Sequence, residues 1–239
     1  MFDSNTNYNK SFEIIDADVL SVAGRHKTAA SRDAYKPHFL YTICERLVCL
    51  VALILAAPII LLLMLIIVLD SSGSPIFFQR RIAMGGKRPF WFIKLRSMYV
   101  DSSRRFPALC SYQFAADEVD DVKLAMSDDP RVTNVGRFLR KTSLDELPNL
   151  WNVVTGEMTL VGPRPEMWVM LQYYNKKSLR KFSVKPGITG YAQIYGRGDL
   201  TLAETIDLDL RYVAEASLNT DLRVLWETVS AVICQRGAK

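Results

Sequence analysis

Residues 47–69 read LVCLVALILAAPIILLLMLIIVL, an apolar run without a charged residue. As a helix with a rise of about 1.5 Å per residue, a run of this length reaches across a bilayer core of about 30 Å. It begins too far from Met1 for a removable signal peptide and lacks a small-residue cleavage site. The run predicts a membrane element, and Pro58 at its centre predicts a kink or break, because proline cannot donate the helical hydrogen bond.

Basic residues flank this apolar run on both sides. Lys36 and Arg46 precede it, and a larger set follows: Arg80, Arg81, Lys87, Arg88, Lys94 and Arg96. Because Lys and Arg concentrate on the cytoplasmic side of a membrane, a helix that crosses once would leave one basic flank on the wrong face. The pattern favours a re-entrant helix that enters and leaves on the same side. The alternative is a kinked span, since transmembrane helices tolerate an internal proline.

Length and composition divide the chain into three parts. Its 239 residues, 49% of them apolar, fit one globular domain with an anchor better than two full domains. We expect a loosely ordered cytosolic tail at 1–36, a re-entrant membrane anchor at 37–70 and a compact interfacial domain at 71–239. The expected fold class is α+β and mainly helical, with a proline-broken membrane helix and a small β-hairpin.

The net charge and the positions of the histidines and cysteines limit the classes of function that this sequence can have. A net charge of +5 and a pI near 9.0 favour anionic partners: phosphates, anionic lipid headgroups or nucleic acid. Both histidines, His26 and His38, precede the apolar run, which excludes a Ser-His triad or a histidine-ligated metal in the downstream domain. No CxxC pair occurs among the four cysteines, so neither a zinc site nor a disulfide framework is indicated; they are Cys44, Cys49, Cys110 and Cys234.

Two aromatic-rich segments follow the apolar run, on either side of residues 84–87, and predict a β-hairpin. Its aromatic residues suit the membrane interface: Phe77, Phe78, Trp91 and Phe92. The Gly-Gly-Lys at 85–87 is not a Walker motif, because Arg81 and Arg88 stand where that motif needs glycine and Ser or Thr.

Residues 143–165, SLDELPNLWNVVTGEMTLVGPRP, combine an acid pair with a stiff turn. The first four residues fit a capping box in which Ser143 begins a helix and Glu146 reaches back to it. Pro148 would then strain the fifth helical position, or the helix begins later. Residues 158–161 read as a short strand, followed by a turn that presents Arg164. The acid pair, Asp145 and Glu146, thus has both a structural and a catalytic interpretation.

Cations surround this acid pair in the sequence: Arg131, Arg137, Arg140, Lys141, Arg164, and Lys185 and Arg197 of the run VKPGITGYAQIYGR. Carboxylates that face a diphosphate repel it unless cations intervene. Arginine binds phosphate with two parallel hydrogen bonds, and a divalent ion bridges carboxylate and phosphate oxygens. A carboxylate at a helix N-terminus keeps a low pKa and can act as a nucleophile toward phosphorus. The positive charges that surround the acid pair in the sequence favour phosphoryl chemistry.

Over roughly residues 37–234 the chain resembles the bacterial sugar transferases, also called monotopic phosphoglycosyl transferases or polyprenyl-phosphate hexose-1-phosphate transferases. The resemblance rests on an ordered set of motifs: the proline-containing membrane helix, Gly73-Ser74-Pro75 with Phe78-Gln79-Arg80-Arg81, Lys94-Leu95-Arg96-Ser97-Met98, the stretch 143–166, KPGITGYAQIYGR, and Asp221-Leu222. Departures are small, with Ala83 and Met84 near a position where the family often has glycine, and Leu95 in place of a common Phe.

This resemblance implies transfer of a sugar-1-phosphate from a UDP-sugar to a polyprenyl phosphate, usually undecaprenyl phosphate, with release of UMP. The lipid product starts a surface glycan such as an exopolysaccharide. Asp145 would form a covalent phosphosugar intermediate, and Glu146 would assist the second displacement or share Mg²⁺ (or Mn²⁺) with Asp145. Phosphate-binding residues would be Arg140, Arg164 and Arg197, followed by Lys94 and Arg96. The resemblance places residues 71–239 at the cytoplasmic face of a bacterial inner membrane.

Several alternatives stay open at this point. A non-enzymatic membrane scaffold, whose acid pair only caps a helix, is the rival interpretation, and a homo-oligomer is an open alternative. Nucleic acid is not expected as a partner, because no recognised binding motif is present. Helical periodicity predicts helices at 201–216 and 219–235, one of which would rest on the bilayer. The motifs do not identify the donor sugar or the glycan pathway.

Overall fold

A computed structural model describes residues 39–85, 89–115, 117–123, 126, 128–196 and 200–233. The α-helices in these ranges are α1 (Phe39–Asp70), α2 (Ser102–Arg105), α3 (Asn134–Thr142), α4 (Leu150–Thr155), α5 (Tyr191–Tyr195), α6 (Leu202–Glu215) and α7 (Leu218–Ile233). The strands are β1 (Ile76–Ile82), β2 (Pro89–Leu95), β3 (Thr159–Val161) and β4 (Gly187–Thr189). Short 3₁₀ helices cover Pro107–Cys110, Val119–Asp121, Leu144–Asn149, Trp168–Tyr173 and Ser178–Ser183. The predicted mainly helical α+β class is confirmed, while the expected tail at 1–36 lies outside the described residues.

Helix α1 is the predicted membrane element. An 18-residue window of this helix has a mean hydropathy of 3.3, and within the described ranges α1 is the one helix long and apolar enough to cross a membrane. Most of its large apolar side chains are exposed, and so much apolar surface indicates contact with lipid rather than water. Pro58 lies inside the helix, which continues on both sides. Pro58 therefore does not end the helix, although it cannot donate a hydrogen bond at its own position.

The first part of α1 packs against the domain that follows it. Glu45 is buried, and its Oε1 accepts hydrogen bonds from the Thr159 hydroxyl and, at 2.8 Å, from the Leu160 N–H. One helical turn later, Cys49 packs against Val153 of α4 in an apolar cluster that also holds the inward side chains of β2. This polar contact and the packing beside it fix the start of the helix to the edge of β3.

The last part of α1 is held by the same domain. Leu63 and Ile67 pack against Leu95 at the end of β2. Carbonyl groups at and just after the helix end lack helical partners. The Arg96 guanidinium donates to two of them, those of Ser71 and Ser72, and at 3.4 Å to the Ile67 carbonyl, which also accepts from the Ser71 N–H. Both ends of α1 therefore contact one domain.

The predicted hairpin is confirmed as the antiparallel pair of β1 and β2, with Arg80 opposite Trp91 and Phe78 opposite Ile93. Phe77, Phe78 and Trp91 are about half exposed, as the interface prediction requires. That prediction is wrong for Phe92, which is buried. Alternation along a strand sends Phe90 and Phe92 to the face that packs on α1 and α4, and their neighbours to the other face.

A second, parallel pair joins β3 to β4 and brings the turn at 162–165 against the run at 185–190. The Gly162 N–H donates to the Thr189 carbonyl at 2.8 Å, and the Gly187 N–H donates to the Pro163 carbonyl at 2.9 Å. A Cβ on Gly162 would lie 2.5 Å from the Lys185 carbonyl oxygen, so only glycine permits this approach. The close contact fixes the turn that carries Arg164.

The two C-terminal helices are confirmed as α6 and α7. Helix α6 begins with a capping box in which the Thr201 hydroxyl accepts from the Glu204 N–H at 3.2 Å. The Glu204 carboxylate in turn accepts from the Thr201 N–H at 2.8 Å. Tyr212 of α6 donates its hydroxyl to Asp221 of α7 at 2.7 Å and so ties the two helices together.

Candidate active site

The acid pair lies in a tight reversal between α3 and α4. Ser143 adopts a left-handed backbone conformation with φ of 57°, and its N–H donates to the Arg140 carbonyl at 3.2 Å, which ends α3. Residues Leu144–Asn149 then form a 3₁₀ helix, which contains Pro148. The Ser143 side chain caps nothing there, and the Glu146 carboxylate turns to two cations instead. The predicted capping box is wrong at this position, because tertiary partners take the glutamate.

Two cations from distant segments meet the acid pair. Lys94 Nζ of β2 lies 2.7 Å from Glu146 Oε1 and 3.8 Å from Asp145 Oδ2. Arg164 Nη2, from the turn after β3, lies 2.7 Å from the same Glu146 oxygen. Asp145 itself is buried. The arrangement gives Glu146 two direct ionic partners and leaves Asp145 with one, at longer range.

The two carboxylates consequently differ in their electrostatics. Burial raises the pKa of Asp145, and Lys94 is the largest opposing influence. Burial also acts upward on Glu146, but Arg164 and Lys94 together hold the pKa of that carboxyl well below its usual range. The low pKa expected for Asp145 from a helix N-terminus is therefore wrong, since burial dominates. An acid pair with pKa values pushed apart is typical of sites where each carboxylate has a separate role.

Arg140 of α3 borders the site on another side. Its Nε donates to the Ser97 hydroxyl at 3.0 Å, and its Nη1 lies 3.8 Å from Asp129 Oδ2. Burial lowers the pKa of Arg140, and the Asp145 charge is the largest influence that opposes this. The guanidinium is partly exposed beside the acid pair, as a group that binds an incoming anion must be.

Asp129, which lies near Arg140, also forms a buried ion pair with Arg131. Arg131 donates from Nε to Asp129 Oδ1 at 2.8 Å and from Nη2 to Asp129 Oδ2 at 2.7 Å, a bidentate geometry. From the sequence, Arg131 is recognisable only as one of several cations near the acid pair, and Asp129 is not recognisable as its partner. No pattern in the sequence distinguishes this aspartate from its neighbour Asp128, because its role depends on which arginines the fold places around it.

A bacterial sugar transferase family model matches residues 37–235. The chain belongs to the bacterial sugar transferase family. It is 40% identical over 168 residues to galactosyl transferase CpsE of Streptococcus agalactiae serotype III, a match that covers 70% of this chain and 36% of CpsE. It is 38% identical over 192 residues to exopolysaccharide production protein ExoY of Sinorhizobium fredii, covering 80% of this chain and 84% of ExoY.

A third relative is the undecaprenyl-phosphate galactose phosphotransferase of Salmonella typhimurium, 36% identical over 193 residues, which span 80% of this chain and 40% of that protein. The chain thus spans well under half the length of CpsE and of the Salmonella protein, and most of the length of ExoY. The family membership inferred from the sequence motifs is confirmed.

The phosphate-binding residues expected for this sugar transferase fall into three groups. Lys94, Arg140 and Arg164 lie at the acid pair. Arg96 is buried at the end of α1, where three carbonyl groups occupy its guanidinium, so the structure gives it an anchoring role instead. Arg197 lies outside the described residues.

The acid pair also offers the carboxylates of a magnesium site in which substrate phosphates supply further ligands. Among the described residues, no group of three or more His, Cys, Asp or Glu side chains is placed to hold a metal ion. Mg²⁺ in phosphoryl-transfer sites is commonly held by one or two carboxylates together with substrate phosphates and water. Asp145 and Glu146 supply that number of carboxylates, so the residues fit the ion that the family resemblance implies.

A buried ionic cluster adjoins the site, and no sequence pattern predicts it. Lys181 Nζ lies 2.9 Å from Asp209 Oδ2 and 3.4 Å from Glu166 Oε2. The Tyr174 hydroxyl donates to the same Glu166 oxygen at 2.8 Å. Glu166 follows Arg164 by two residues, so the cluster anchors the chain just after the turn that carries this arginine.

Because Ser143 caps no helix, Ser143→Ala is expected to change the free energy of unfolding by less than about 0.5 kcal/mol. Both residues carry a Cβ, so the cost of the left-handed backbone stays the same. Thr201→Ala removes a real capping box and is expected to cost about 1 kcal/mol. Denaturant unfolding of the three proteins in detergent measures both effects. A loss for Ser143→Ala as large as that for Thr201→Ala would contradict the structure.

Asp129→Asn is expected to lower the free energy of unfolding at pH 7 by about 3 kcal/mol, because the buried Arg131 is left without a carboxylate partner. Hydrogen bonds from Arg131 hold the pKa of the Asp129 carboxyl below its usual value despite the upward effect of burial. The carboxylate therefore contributes stability above the unfolded-state pKa of about 3.9, and this contribution is lost as the pH falls further. Denaturant titrations of both proteins from pH 7 to pH 3 should show the difference narrowing at the acid end. A constant difference would contradict this assignment.

Proposed function

We propose that this sugar transferase moves a sugar-1-phosphate from a UDP-sugar to a polyprenyl phosphate such as undecaprenyl phosphate, releases UMP, and so starts a surface polysaccharide. The observation that carries the proposal is the unequal acid pair, with a buried Asp145 beside a Glu146 held by Lys94 and Arg164. Two relatives are named UDP-galactose-lipid carrier transferase and UDP-glucose:undecaprenyl-phosphate glucose-1-phosphate transferase, and these names support the same chemistry.

In the first half-reaction, an Asp145 carboxylate oxygen attacks the phosphorus that bears the sugar. An oxygen–phosphorus bond forms, the bond from that phosphorus to the bridging oxygen breaks, and the electron pair leaves with UMP. Asp145 suits this role because burial raises its pKa, which makes its anion less stabilised and more basic than that of Glu146. Lys94, Arg140 and Arg164 would face the phosphate charge that develops.

In the second half-reaction, an oxygen of the lipid phosphate attacks the same phosphorus. The bond to Asp145 breaks, its electron pair returns to the carboxylate, and the lipid diphosphosugar leaves. Glu146 keeps Lys94 and Arg164 oriented through both steps, since its Oε1 contacts both cations. This order of events predicts ping-pong kinetics.

Asp145 and Glu146 are the residues that would hold Mg²⁺ or Mn²⁺ with the substrate phosphates, and the ion would neutralise phosphate charge during transfer. Glu146 Oε1 already contacts two cations, Lys94 and Arg164, so this carboxyl group stays ionised whether or not a metal ion is bound.

A panel of UDP-sugars tests the proposal with the purified protein in detergent. With the correct donor and no lipid, we expect one equivalent of UMP and a mass increase of one sugar phosphate on the peptide that contains Asp145. Added undecaprenyl phosphate should discharge this adduct and allow repeated turnover. UMP release that requires the lipid, without any protein adduct, would mean direct transfer, and no release with any donor would reject the activity.

We further propose that both ends of α1 lie on the cytoplasmic side of a bacterial inner membrane. Supporting contacts are those of Glu45 with the edge of β3 and of Arg96 with the carbonyls at the helix end, since one domain reaches both ends. Single cysteines at positions 36 and 74, in a chain whose native cysteines are replaced by serine, should both react with an impermeant maleimide in inverted vesicles only. Labelling from opposite sides would mean a true span.

A further inference from the structure

The last residues of β1 are joined to the segment that follows Arg164. Arg81 Nη1 donates to the Pro165 carbonyl at 3.0 Å, and the Ile82 N–H donates to the Glu166 carbonyl at 3.0 Å. Because Pro165 directly follows Arg164, these two hydrogen bonds fix where the turn that carries Arg164 lies relative to the hairpin.

The guanidinium of Arg81 is held in the orientation that this contact needs. Its Nη2 donates to Gln79 Oε1 at 2.7 Å, and Gln79 Nε2 donates to the Met167 sulfur at 3.4 Å. Its Nε is buried and has no hydrogen-bond partner among the described residues. The planar guanidinium thus makes two directed bonds at once, one to the hairpin and one to the turn, which the single ammonium of a lysine does not do.

Arg81 remains a cation although burial disfavours its charge. Burial lowers the pKa of Arg81 to about 10, and the charge of Glu166 is the largest influence that opposes this. Glu166 Oε2 also lies 3.4 Å from Lys181 Nζ, so one carboxylate beside the turn compensates cations from two separate segments. Moving the Arg81 guanidinium would separate it from this carboxylate, which favours a single fixed position.

The same hairpin carries the second cation of the acid pair. Strand register and alternation place Arg81, Phe92 and Lys94 on one face of β1 and β2. The centre of the Phe92 ring lies 5.4 Å from Arg81 Cζ and 5.0 Å from Lys94 Nζ. Lys94 and Arg164 each lie 2.7 Å from Glu146 Oε1. Arg81 therefore ties the turn that presents one of these cations to the hairpin that presents the other.

We propose that Arg81 is a positioning residue for the donor phosphate, which sets the distance between the Arg164 guanidinium and the Lys94 ammonium; the proposal rests on the function proposed above. Arg81 acts without touching the substrate, because its two Nη atoms are directed to Pro165 and Gln79. A displacement of about 1 Å at a group that orients the substrate can lower a rate about 10²-fold. The role is therefore large enough to measure.

A double-mutant cycle separates this role from a purely structural one. For purified protein in detergent, Arg81→Met is expected to slow adduct formation from the UDP-sugar about 10²-fold. In an Arg164→Ala background the turn presents no guanidinium, so the same change should slow the reaction less than about threefold further. Denaturant unfolding should show a loss of stability from Arg81→Met in both backgrounds. A merely structural defect would instead slow both proteins by the same factor.

Two further variants sharpen the test. Arg81→Lys keeps the charge but loses the guanidinium fork, so it is expected to recover only a small part of the rate. Arg80→Met is the matched control, since Arg80 lies on the other face of the hairpin, with Cζ 4.9 Å from the centre of the Trp91 ring, and a change of less than about threefold is expected. If Arg81→Met does not fold, Gln79→Leu removes the acceptor that orients the guanidinium and should give the same pattern in the cycle.

Two results would overturn the positioning role. One is a normal rate of adduct formation in folded Arg81→Met. The other is equal slowing in the Arg164→Ala background, which would mean that Arg81 acts on the substrate directly or on folding alone. If no UDP-sugar forms an adduct with the unmodified protein, the proposed function fails, and the cycle is measured on UDP binding by calorimetry. A smaller loss of UDP affinity in the Arg164→Ala background would then support the role, and equal losses or no UDP binding would reject it.

Discussion

Asp145→Asn is expected to abolish transfer of labelled sugar phosphate both to the protein and to the lipid, with turnover lowered by about 10³-fold or more. The amide has nearly the shape of the carboxylate but cannot form the phosphosugar bond that the mechanism needs. Because burial raises the pKa of Asp145, the folded protein disfavours its anion, and a neutral side chain should not lower stability. The expected result is an inactive protein with an unchanged or higher melting temperature.

The measurement is incorporation of label from the sugar phosphate, followed separately in protein and in lipid extract. Asp101→Asn is a suitable control, because Asp101 is a partly exposed acid whose ion pair among the described residues is with Arg105 four residues later, and full activity is expected for it. Normal turnover by Asp145→Asn would reject the nucleophile. An adduct that persists on another residue would move the nucleophile elsewhere and leave the overall reaction class intact.

Lys181→Met is expected to lower the free energy of unfolding by about 3–5 kcal/mol, the largest stability effect anticipated here. Lys181 is buried between Asp209 and Glu166, so its removal leaves two buried carboxylates without their cation. Methionine preserves most of the side-chain volume, which separates the loss of charge from the creation of a cavity. Denaturant unfolding in detergent measures the change.

Lys177→Met is the matched control. Lys177 also forms an ion pair with a carboxylate of α6, at 3.6 Å from Asp207 Oδ1, but both side chains are almost three-quarters exposed. Its loss is expected to cost less than about 1 kcal/mol. Adding Asp209→Asn to Lys181→Met should recover part of the stability, because it removes one of the unpaired carboxylates. Equal stability of the two lysine variants would contradict the assigned cluster.

Elements defined by local patterns could be predicted from the sequence. The membrane helix, the hairpin, the strand near residues 158–161 and the two C-terminal helices each follow from apolar periodicity and turn residues within a short window. The capping box shows where this kind of inference stops. Ser143 with Glu146 and Thr201 with Glu204 have the same spacing, yet only the second pair forms the box. The glutamate at 146 has Lys94 and Arg164 as stronger partners, and these come from distant parts of the chain.

The candidate site shows the same division. The family resemblance implied a phosphate-binding role for both Lys94 and Arg96, which stand two residues apart. Strand β2 ends at Leu95, and Arg96 turns to the end of α1 while Lys94 faces the acid pair. The Lys181 cluster could not be predicted, because Glu166, Lys181 and Asp209 lie far apart in the sequence and meet only after packing.

The short separation between Lys94, in β2, and Arg96, just after it, has a mechanical consequence. Lys94 forms an ion pair with the acid pair. Arg96 lies about 7 Å further along the chain and donates hydrogen bonds to carbonyl groups at the end of α1. Under the proposed membrane placement, one short piece of backbone would set both the depth of α1 in the bilayer and the height of the acid pair above it. A lipid phosphate, whose own height is fixed by the headgroup layer, would meet Asp145 at a constant level instead of depending on how the domain tilts.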